Sequence, residues 1–153
     1  MIYFEDCTVG ELRRFGRYEV TREEVIDFAS RYDPQPFHLD DAAAAQTHFG
    51  RLSASGWHTA AMTMRMWVDD MAREQRASLG SPGIDQLRWL RPVYPGDTLS
   101  AESELLDKRR SKSRPEMGIV STRMATFNQD GEKVLEMMSA GLIAVRDTEA
   151  PID

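Results

Sequence analysis

The sequence lacks the features that mark secreted and membrane proteins. Cys7 is the only cysteine among 153 residues, so no disulfide can form within the chain, and a reducing compartment is favoured. No apolar run approaches the length of a transmembrane helix. Residues 1–6 carry two acids where a signal peptide would have a basic segment. We therefore expect a cytoplasmic protein that does not enter a membrane.

An excess of positive charge is also missing. Lysine and arginine number 19 against 25 acids, and the formal net charge is −6. Nucleic-acid binders usually present a basic face to phosphate, so we do not expect one here. The three histidines, His38, His48 and His58, are ten residues apart, a spacing that matches no common zinc motif, so we expect no metal site.

The composition that is present fits a soluble globular protein. Hydrophobic residues make up 41% of the chain and charged residues 29%, which is enough apolar material for one core. We predict a single domain over residues 1–153.

The first helix has a clear beginning and end. Thr21 followed by Glu24 forms the pattern of a capping box, in which each side chain satisfies a backbone amide. Apolar residues then recur at helical spacing as far as Tyr32. The helix must end near Asp33, because the residue before Pro34 is driven out of the helical region.

A longer helix follows the small-residue loop 51–56. It is predicted to run to about Ala77, before Gly80, Pro82 and Gly83 break the chain. A broad apolar stripe at helical spacing marks it as the buried central helix rather than a cofactor site; the stripe consists of Trp57, Ala60, Ala61, Met64, Trp67, Val68 and Met71.

The C-terminal half has the pattern of strands. Asn128 to Gly131 is a strong hairpin signal, and residues 92–97 read as a turn between the first two strands. Helices followed by an antiparallel meander predict an α+β fold, with a sheet packed on a helix. The four predicted strands are 84–90, 98–106, 118–127 and 134–145.

One short segment carries a chemical signal. Asp33 and His38 are five residues apart, and neither a helix nor an extended strand would place them on one substrate. Pro34 and Pro36 favour a fixed turn that brings them together. An acid beside an imidazole is suited to activating water at neutral pH. The spacing alone fits equally a helix-capping acid and a half-buried structural histidine.

In order and context these residues resemble the signature of MaoC-like dehydratases, whose best-known members are (R)-specific enoyl-CoA hydratases. One position departs from it, since Gln35 stands where those hydratases usually have asparagine; this leaves the acyl chain and the activity open. The resemblance covers nearly the whole chain and rests on Asp33, Pro36, His38, Asp40, Ser55-Gly56 and the run from Arg91 to Asp97.

The resemblance implies a hotdog fold, an antiparallel sheet wrapped around one long helix. It implies that Asp33 and His38 are catalytic and bind a water between them, with Asp33 as the base. Ser55, Gly56 and Gln35 are then substrate-binding residues. The amide of Gly56 would hold the thioester oxygen, a role that its place at a helix N-terminus supports independently, and glycine would let the substrate approach closely.

The implied function is hydration or dehydration of an acyl-CoA thioester. Coenzyme A enters only as part of the substrate, and no separate cofactor is expected. The expected partners are this substrate and further copies of the chain, as a homodimer or a dimer of dimers with the substrate tunnel at the dimer interface. Two alternatives stay open: a hotdog acyl-CoA thioesterase and a non-catalytic acyl-binding protein.

The only strong basic cluster is residues 108–114, between two strands. We interpret it as a solvated hairpin loop. The alternative is that it neutralises the phosphates of coenzyme A.

Overall fold

The computed structural model describes residues 1–150, so the end of the predicted domain 1–153 lies outside the described residues. Three α-helices and five strands follow one another along the chain. They are β1 (Leu12–Glu19), α1 (Arg22–Tyr32), α2 (Asp41–Ala45), α3 (Gly56–Glu74), β2 (Ser78–Trp89), β3 (Thr98–Arg110), β4 (Met117–Phe127) and β5 (Lys133–Ala144).

The strands form one antiparallel sheet in the order β1-β3-β4-β5-β2. The prediction of a meander from β2 to β5 is therefore wrong for β2, which pairs with β5 and lies at the opposite edge from β1. Residues 92–97 do not form a hairpin turn. They carry the chain across the end of the sheet, from one edge strand to β3.

The long helix α3 lies against one face of this sheet. Its buried Met62 and Met66 belong to the same core cluster as Leu99 of β3, Met124 of β4 and Leu135 of β5. An antiparallel sheet wrapped around one long helix is the hotdog fold, and the predicted α+β class is confirmed.

At β1 the helix approaches very closely. Gly16 has a φ of +82°, and the side chain of Met66 fills the space where a Cβ would stand. The pairing of β1 with β3 shifts register beside this glycine, between Phe15 and Tyr18. The bulge lets β1 bend over the helix, because an extra residue in one strand increases the local twist.

The predicted break after α3 is placed differently. The helix ends at Glu74, where Gln75 adopts a left-handed conformation, and Gly80, Pro82 and Gly83 lie inside β2 rather than in a loop. Proline and glycine are tolerated there because β2 is an edge strand with irregular pairing.

Hydrogen bonds through the 92–97 crossing fix where the functional loops begin. Ala54 donates its N–H to the carbonyl of Val93 at 2.8 Å, just before α3. Gly96 donates to the carbonyl of Val20 at 2.8 Å, just before α1. The starts of both helices are thus attached to one loop at one end of the sheet.

Candidate active site

The loop after α1 folds back on itself, as its prolines predict. Asp33 ends the helix with its N–H bonded to the carbonyl of Ala29, and Pro36 opens a short 3-10 turn that ends at His38. Within the loop, His38 donates its N–H to the carbonyl of Gln35 at 2.9 Å. As a result, Nε2 of His38 lies 3.5 Å from Oδ2 of Asp33.

The tautomer of the neutral His38 ring follows from its other contact. Nδ1 lies 2.7 Å from the backbone carbonyl of Ser53, and a carbonyl can only accept, so Nδ1 carries the hydrogen. In the neutral ring Nε2 then has a free lone pair, which faces the carboxylate of Asp33. Two acceptors so placed have no proton to share, but both can accept from one water molecule about 2.8 Å from each.

Two donors hold the carboxylate of Asp33. The hydroxyl of Ser55 donates to Oδ2 at 2.7 Å, and the side-chain amide of Gln35 donates to Oδ1 at 2.7 Å. Partial burial works to raise the pKa of Asp33, but the hydrogen bonds from Ser55 and Gln35 outweigh it, so the pKa is lowered. Asp33 is therefore ionised at neutral pH.

The helix α3 begins beside this carboxylate without a side-chain cap. Ser55 is at the N-cap, and its hydroxyl donates to Asp33. Within residues 1–150 this hydroxyl accepts no hydrogen bond from a backbone N–H of α3. The N–H groups of the first turn have no acceptor within a helix and carry partial positive charge. Gly56 supplies the first of them.

The reason for a glycine at position 56 differs from the one expected. A Cβ on Gly56 would stand 2.5 Å from Cε2 of Trp89. The indole of Trp89, at the end of β2, thus occupies the space in which the substrate was expected to approach Gly56. Any approach to the Gly56 amide must come from another side.

A cavity of about 320 Å³ opens at this point, and we call it the His38 cavity. His38 and Gly56 both line it, together with Ala54, Thr59, Trp89 and Val93. Asp33 is not among its lining residues, but it contacts His38, which is. The structure thus brings four of the predicted site residues, Asp33, His38, Ser55 and Gln35, into contact, and Gly56 shares the cavity with His38.

Sequence reasoning missed two contributors to the site. Ser53 acts through its backbone carbonyl. Every residue has such a carbonyl, so the residue type gives no signal of this role. Trp89 forms a wall of the cavity from the far end of an edge strand, and only the strand order brings it to α3. A single aromatic residue at a strand end carries no signal of this kind.

The basic cluster lies at the other end of the sheet. Along the 13 residues of β3 from Thr98 to Arg110, the chain rises about 40 Å. Lys108 donates to the carbonyl of Cys7 at 2.7 Å, and Arg110 donates to that of Thr148 at 2.7 Å. These two side chains hold the terminal segments, so within one chain the cluster does not reach the His38 cavity.

Two further findings bear on the chemistry. Among residues 1–150, no group of three or more histidine, cysteine, aspartate and glutamate side chains is arranged to hold a metal ion. Over the same residues, no helix has both the length and the apolar character needed to cross a bilayer.

Comparison with known proteins defines the class of the molecule. The chain superimposes on the MaoC-like dehydratase from Rhodospirillum rubrum with a TM-score of 0.86 and 39% sequence identity, over 96% of this chain and 99% of that one. It thus shares both fold and sequence with a hotdog dehydratase along almost its whole length. Residues 6–126 match the model of the MaoC like domain, and the chain belongs to that family.

Two curated relatives carry the names of reactions. Mesaconyl-CoA hydratase from Cereibacter sphaeroides is 39% identical over 84 residues, which are 55% of this chain and 23% of that protein. The chain therefore spans only a small part of this relative. 3-Hydroxybutyryl-CoA dehydratase from Methylorubrum extorquens is 27% identical over 139 residues, or 90% of this chain and 85% of that protein.

Proposed function

We propose that this protein catalyses the reversible addition of water to the double bond of an enoyl-CoA thioester. The observation that carries the proposal is the pair of acceptors formed by Nε2 of His38 and Oδ2 of Asp33, 3.5 Å apart. Such a pair holds one water by both of its hydrogens and leaves the oxygen lone pairs free to attack carbon.

In the proposed reaction, the water oxygen forms a bond to the β-carbon as one O–H bond breaks. The proton passes to the Asp33–His38 pair, with Asp33 as the base. The electrons of the double bond move toward the thioester oxygen, and the N–H of Gly56 stabilises the charge that develops there. Because the pKa of Asp33 is lowered, the carboxylate holds the proton weakly and returns it to the α-carbon.

Ser55 and Gln35 act in this proposal by positioning Asp33, to which both donate. This differs from the direct substrate contact expected from the resemblance. Coenzyme A takes part only as the carrier of the acyl group, and the names of the two curated relatives support a CoA thioester as substrate.

A hotdog thioesterase is the second candidate. That activity commonly places an acid near the start of the central helix, and the first two turns of α3 offer His58, Thr59 and Thr63 instead. A non-catalytic acyl-binding protein is the third. The aligned acceptor pair and the free amide at α3 favour the hydratase over both.

We propose in addition that the working unit is a homodimer or a dimer of dimers in the cytoplasm. The edge strand β2 and the outer face of α3 expose apolar side chains, and one of them, Trp89, lines the His38 cavity. Trp57, Met64 and Val68 on α3 are 59%, 41% and 45% exposed, and Leu79, Ile84 and Trp89 on β2 are 45%, 40% and 44% exposed. A second copy pairing along β2 would cover them and close the open side of the cavity.

The direct test is turnover of crotonyl-CoA, following both loss of the double bond and release of free thiol. We expect hydration without thiol release. Asp33→Asn and His38→Gln should each lower kcat about 100-fold or more, the contribution of general acid–base catalysis, while the domain stays folded.

Asp130→Asn, in the exposed turn between β4 and β5, is the matched control for loss of a carboxylate. Release of thiol without hydration would move the protein to the thioesterases. Binding of acyl-CoA with no turnover of any enoyl-CoA would make it a binding protein.

A further inference from the structure

The wall of the His38 cavity holds one charged side chain that the proposed mechanism does not use. Arg91 is among the lining residues, and no aspartate or glutamate of residues 1–150 is among them. The other lining side chains are apolar or neutral, apart from the imidazoles of His38 and His48. In a chain with a formal net charge of −6, this cavity therefore favours an anionic occupant.

The backbone on both sides of Arg91 is attached to the start of α3. Two residues earlier, the indole of Trp89 fills the space where a Cβ on Gly56 would stand. Two residues later, the carbonyl of Val93 accepts the N–H of Ala54 at 2.8 Å. Because two extended residues span only about 7 Å, the backbone of Arg91 is held close to the amide that would bind the thioester oxygen.

Arg91 lies at the solvent side of the His38 cavity. Its side chain is 60% exposed, while that of His38 is 6% exposed. The cavity thus extends from the buried imidazole of the proposed site to an arginine in contact with water. A long substrate whose reacting end lies at His38 would leave the cavity past Arg91. The walls between them are mainly apolar and include Phe49, Ala54, Leu90, Pro92 and Val93.

One ion pair occupies part of this guanidinium. Nη1 of Arg91 lies 2.8 Å from Oε2 of Glu132, whose side chain is 40% exposed. Exposed pairs of this kind contribute little free energy, because water and salt screen them. A guanidinium has five N–H groups, so one carboxylate contact leaves donors for a ligand anion.

The proposed substrate supplies an anion of the right kind. The phosphates of coenzyme A are its only anionic groups, and the pantetheine arm separates them from the thioester. Arginine suits a phosphate because two of its N–H groups can donate to two of the phosphate oxygens. When the acyl group is uncharged, as in crotonyl-CoA, phosphate is the only anion that such a substrate can bring to Arg91.

We propose that the CoA carrier leaves the His38 cavity at Arg91 and that the guanidinium of Arg91 binds its phosphates, in competition with Glu132. The alternative raised by the sequence was the basic cluster 108–114. In that cluster Lys108 and Arg110 hold the terminal segments at the other end of the sheet. This assignment rests on the proposed hydratase function and names the residue that binds the carrier.

The test compares crotonyl-CoA with crotonyl-pantetheine, which has the same acyl group and thioester but no phosphate. Arg91→Gln should raise KM for crotonyl-CoA about tenfold, the effect of one charge-assisted hydrogen bond, and leave kcat as it is. Both constants for crotonyl-pantetheine should stay unchanged. Arg109→Gln, an exposed arginine of the basic cluster, is the matched control.

A second variant tests the same contact with the opposite sign. Glu132→Gln removes the competing carboxylate from Arg91, so KM for crotonyl-CoA should fall. Asp130→Asn removes an equal charge from the same turn but from a residue that is not the ion-pair partner of Arg91, and it should leave KM unchanged. An equal or higher KM in Glu132→Gln would overturn the proposed competition.

Equal effects of Arg91→Gln on both thioesters, or an effect on neither, would overturn the assignment. A phosphate-dependent loss in Arg109→Gln and not in Arg91→Gln would do so as well. Calorimetric binding of butyryl-CoA and butyryl-pantetheine, which have no double bond to hydrate, separates this result from failure of the hydratase proposal. Arg91-dependent binding of butyryl-CoA without hydration of any enoyl-CoA would remove the reaction and keep the phosphate site. Hydration without Arg91-dependent binding would do the reverse.

Discussion

At the scale of single residues, the position of Ser55 connects the helix to the acid. A serine at an N-cap ordinarily accepts a hydrogen bond from its own helix. Here the hydroxyl donates to Asp33. The backbone N–H groups at the N-terminus of α3 therefore stay available for another acceptor. One side chain thus keeps Asp33 charged and leaves the helix terminus available for the oxygen of a substrate.

Ser55→Ala should move the acid limb of the pH–rate profile. Loss of a hydrogen bond to the charged form raises the pKa of Asp33, so a smaller fraction is ionised at any acidic pH. We expect the midpoint of the acid limb of kcat/KM to move to higher pH in a titration of initial rates. Ser30→Ala on the exposed side of α1 is the control, and an unmoved midpoint would mean that Ser55 does not act on Asp33.

The buried ring of His58 predicts a pH dependence of stability. Because burial lowers its pKa in the folded state, the unfolded chain binds more protons below the ordinary histidine value of about 6.5. The contribution is fully present above that value, and the free energy of unfolding falls as the pH drops toward the folded pKa. Urea unfolding at pH 7 and pH 5.5 should show this loss in the wild type.

His58→Phe should reduce that loss, since the phenyl ring cannot take up a proton and still stacks on Phe28. The same change at His48, which is exposed, should leave the pH dependence as it is. An equal pH dependence in His58→Phe and the wild type would assign the effect to other groups.

The chemical pair was predictable from the sequence, but its surroundings were not. Two prolines in a five-residue interval favour a turn, so a contact between Asp33 and His38 could be predicted from the sequence. The hydrogen-bond donor from α3 to Asp33 could not be predicted in this way. Ser55 reaches it across 22 residues, and such a contact depends on how α3 is placed relative to α1.

At the scale of elements, the contact between β2 and α3 is unusually close. Gly56 opens the helix, and the indole of Trp89 occupies the space where a Cβ on this residue would stand. Gly56→Ala should therefore destabilise the fold by about 1–3 kcal/mol, the usual cost of overpacking. The cost should largely disappear in a Trp89→Ala background, where the space is free.

Urea unfolding of the two single variants and the double variant measures this directly. We expect a coupling energy of at least about 1 kcal/mol between the two positions. Additive effects would show that the indole moves aside without cost.

The elements themselves follow from local signals, and their exceptions have physical reasons. One half of the capping box predicted for α1 is confirmed, since the side chain of Thr21 accepts from the N–H of Glu24. The other half is not, because the Glu24 carboxylate accepts from the hydroxyl of Tyr18. In β2, glycine and proline predicted a loop, but an edge strand has only one neighbour and tolerates both. The place of β2 beside β5 is a long-range pairing that no local pattern encodes.

At the scale of the whole molecule, the proposed association runs along β2, one edge of the sheet. Ile84→Lys on β2 should shift the assembly toward monomers, because a charge would be buried in the proposed interface. Light scattering after size-exclusion chromatography, over a range of concentrations, reports the mass. Leu12→Lys on β1 changes a residue at the opposite edge that is 50% exposed, against 40% for Ile84, and should leave at least a dimer. A wild-type protein that is monomeric at all concentrations would contradict the proposal.

The position of Trp89 has a kinetic consequence. Its backbone belongs to the edge strand that would meet a second copy, and its ring rests on the residue whose amide would hold the thioester oxygen. Docking of a partner would therefore stiffen the oxygen-binding end of the helix. Specific activity should then rise with enzyme concentration and reach a plateau where dimerisation is complete. On dilution, activity should be lost at concentrations at which the monomers are still folded.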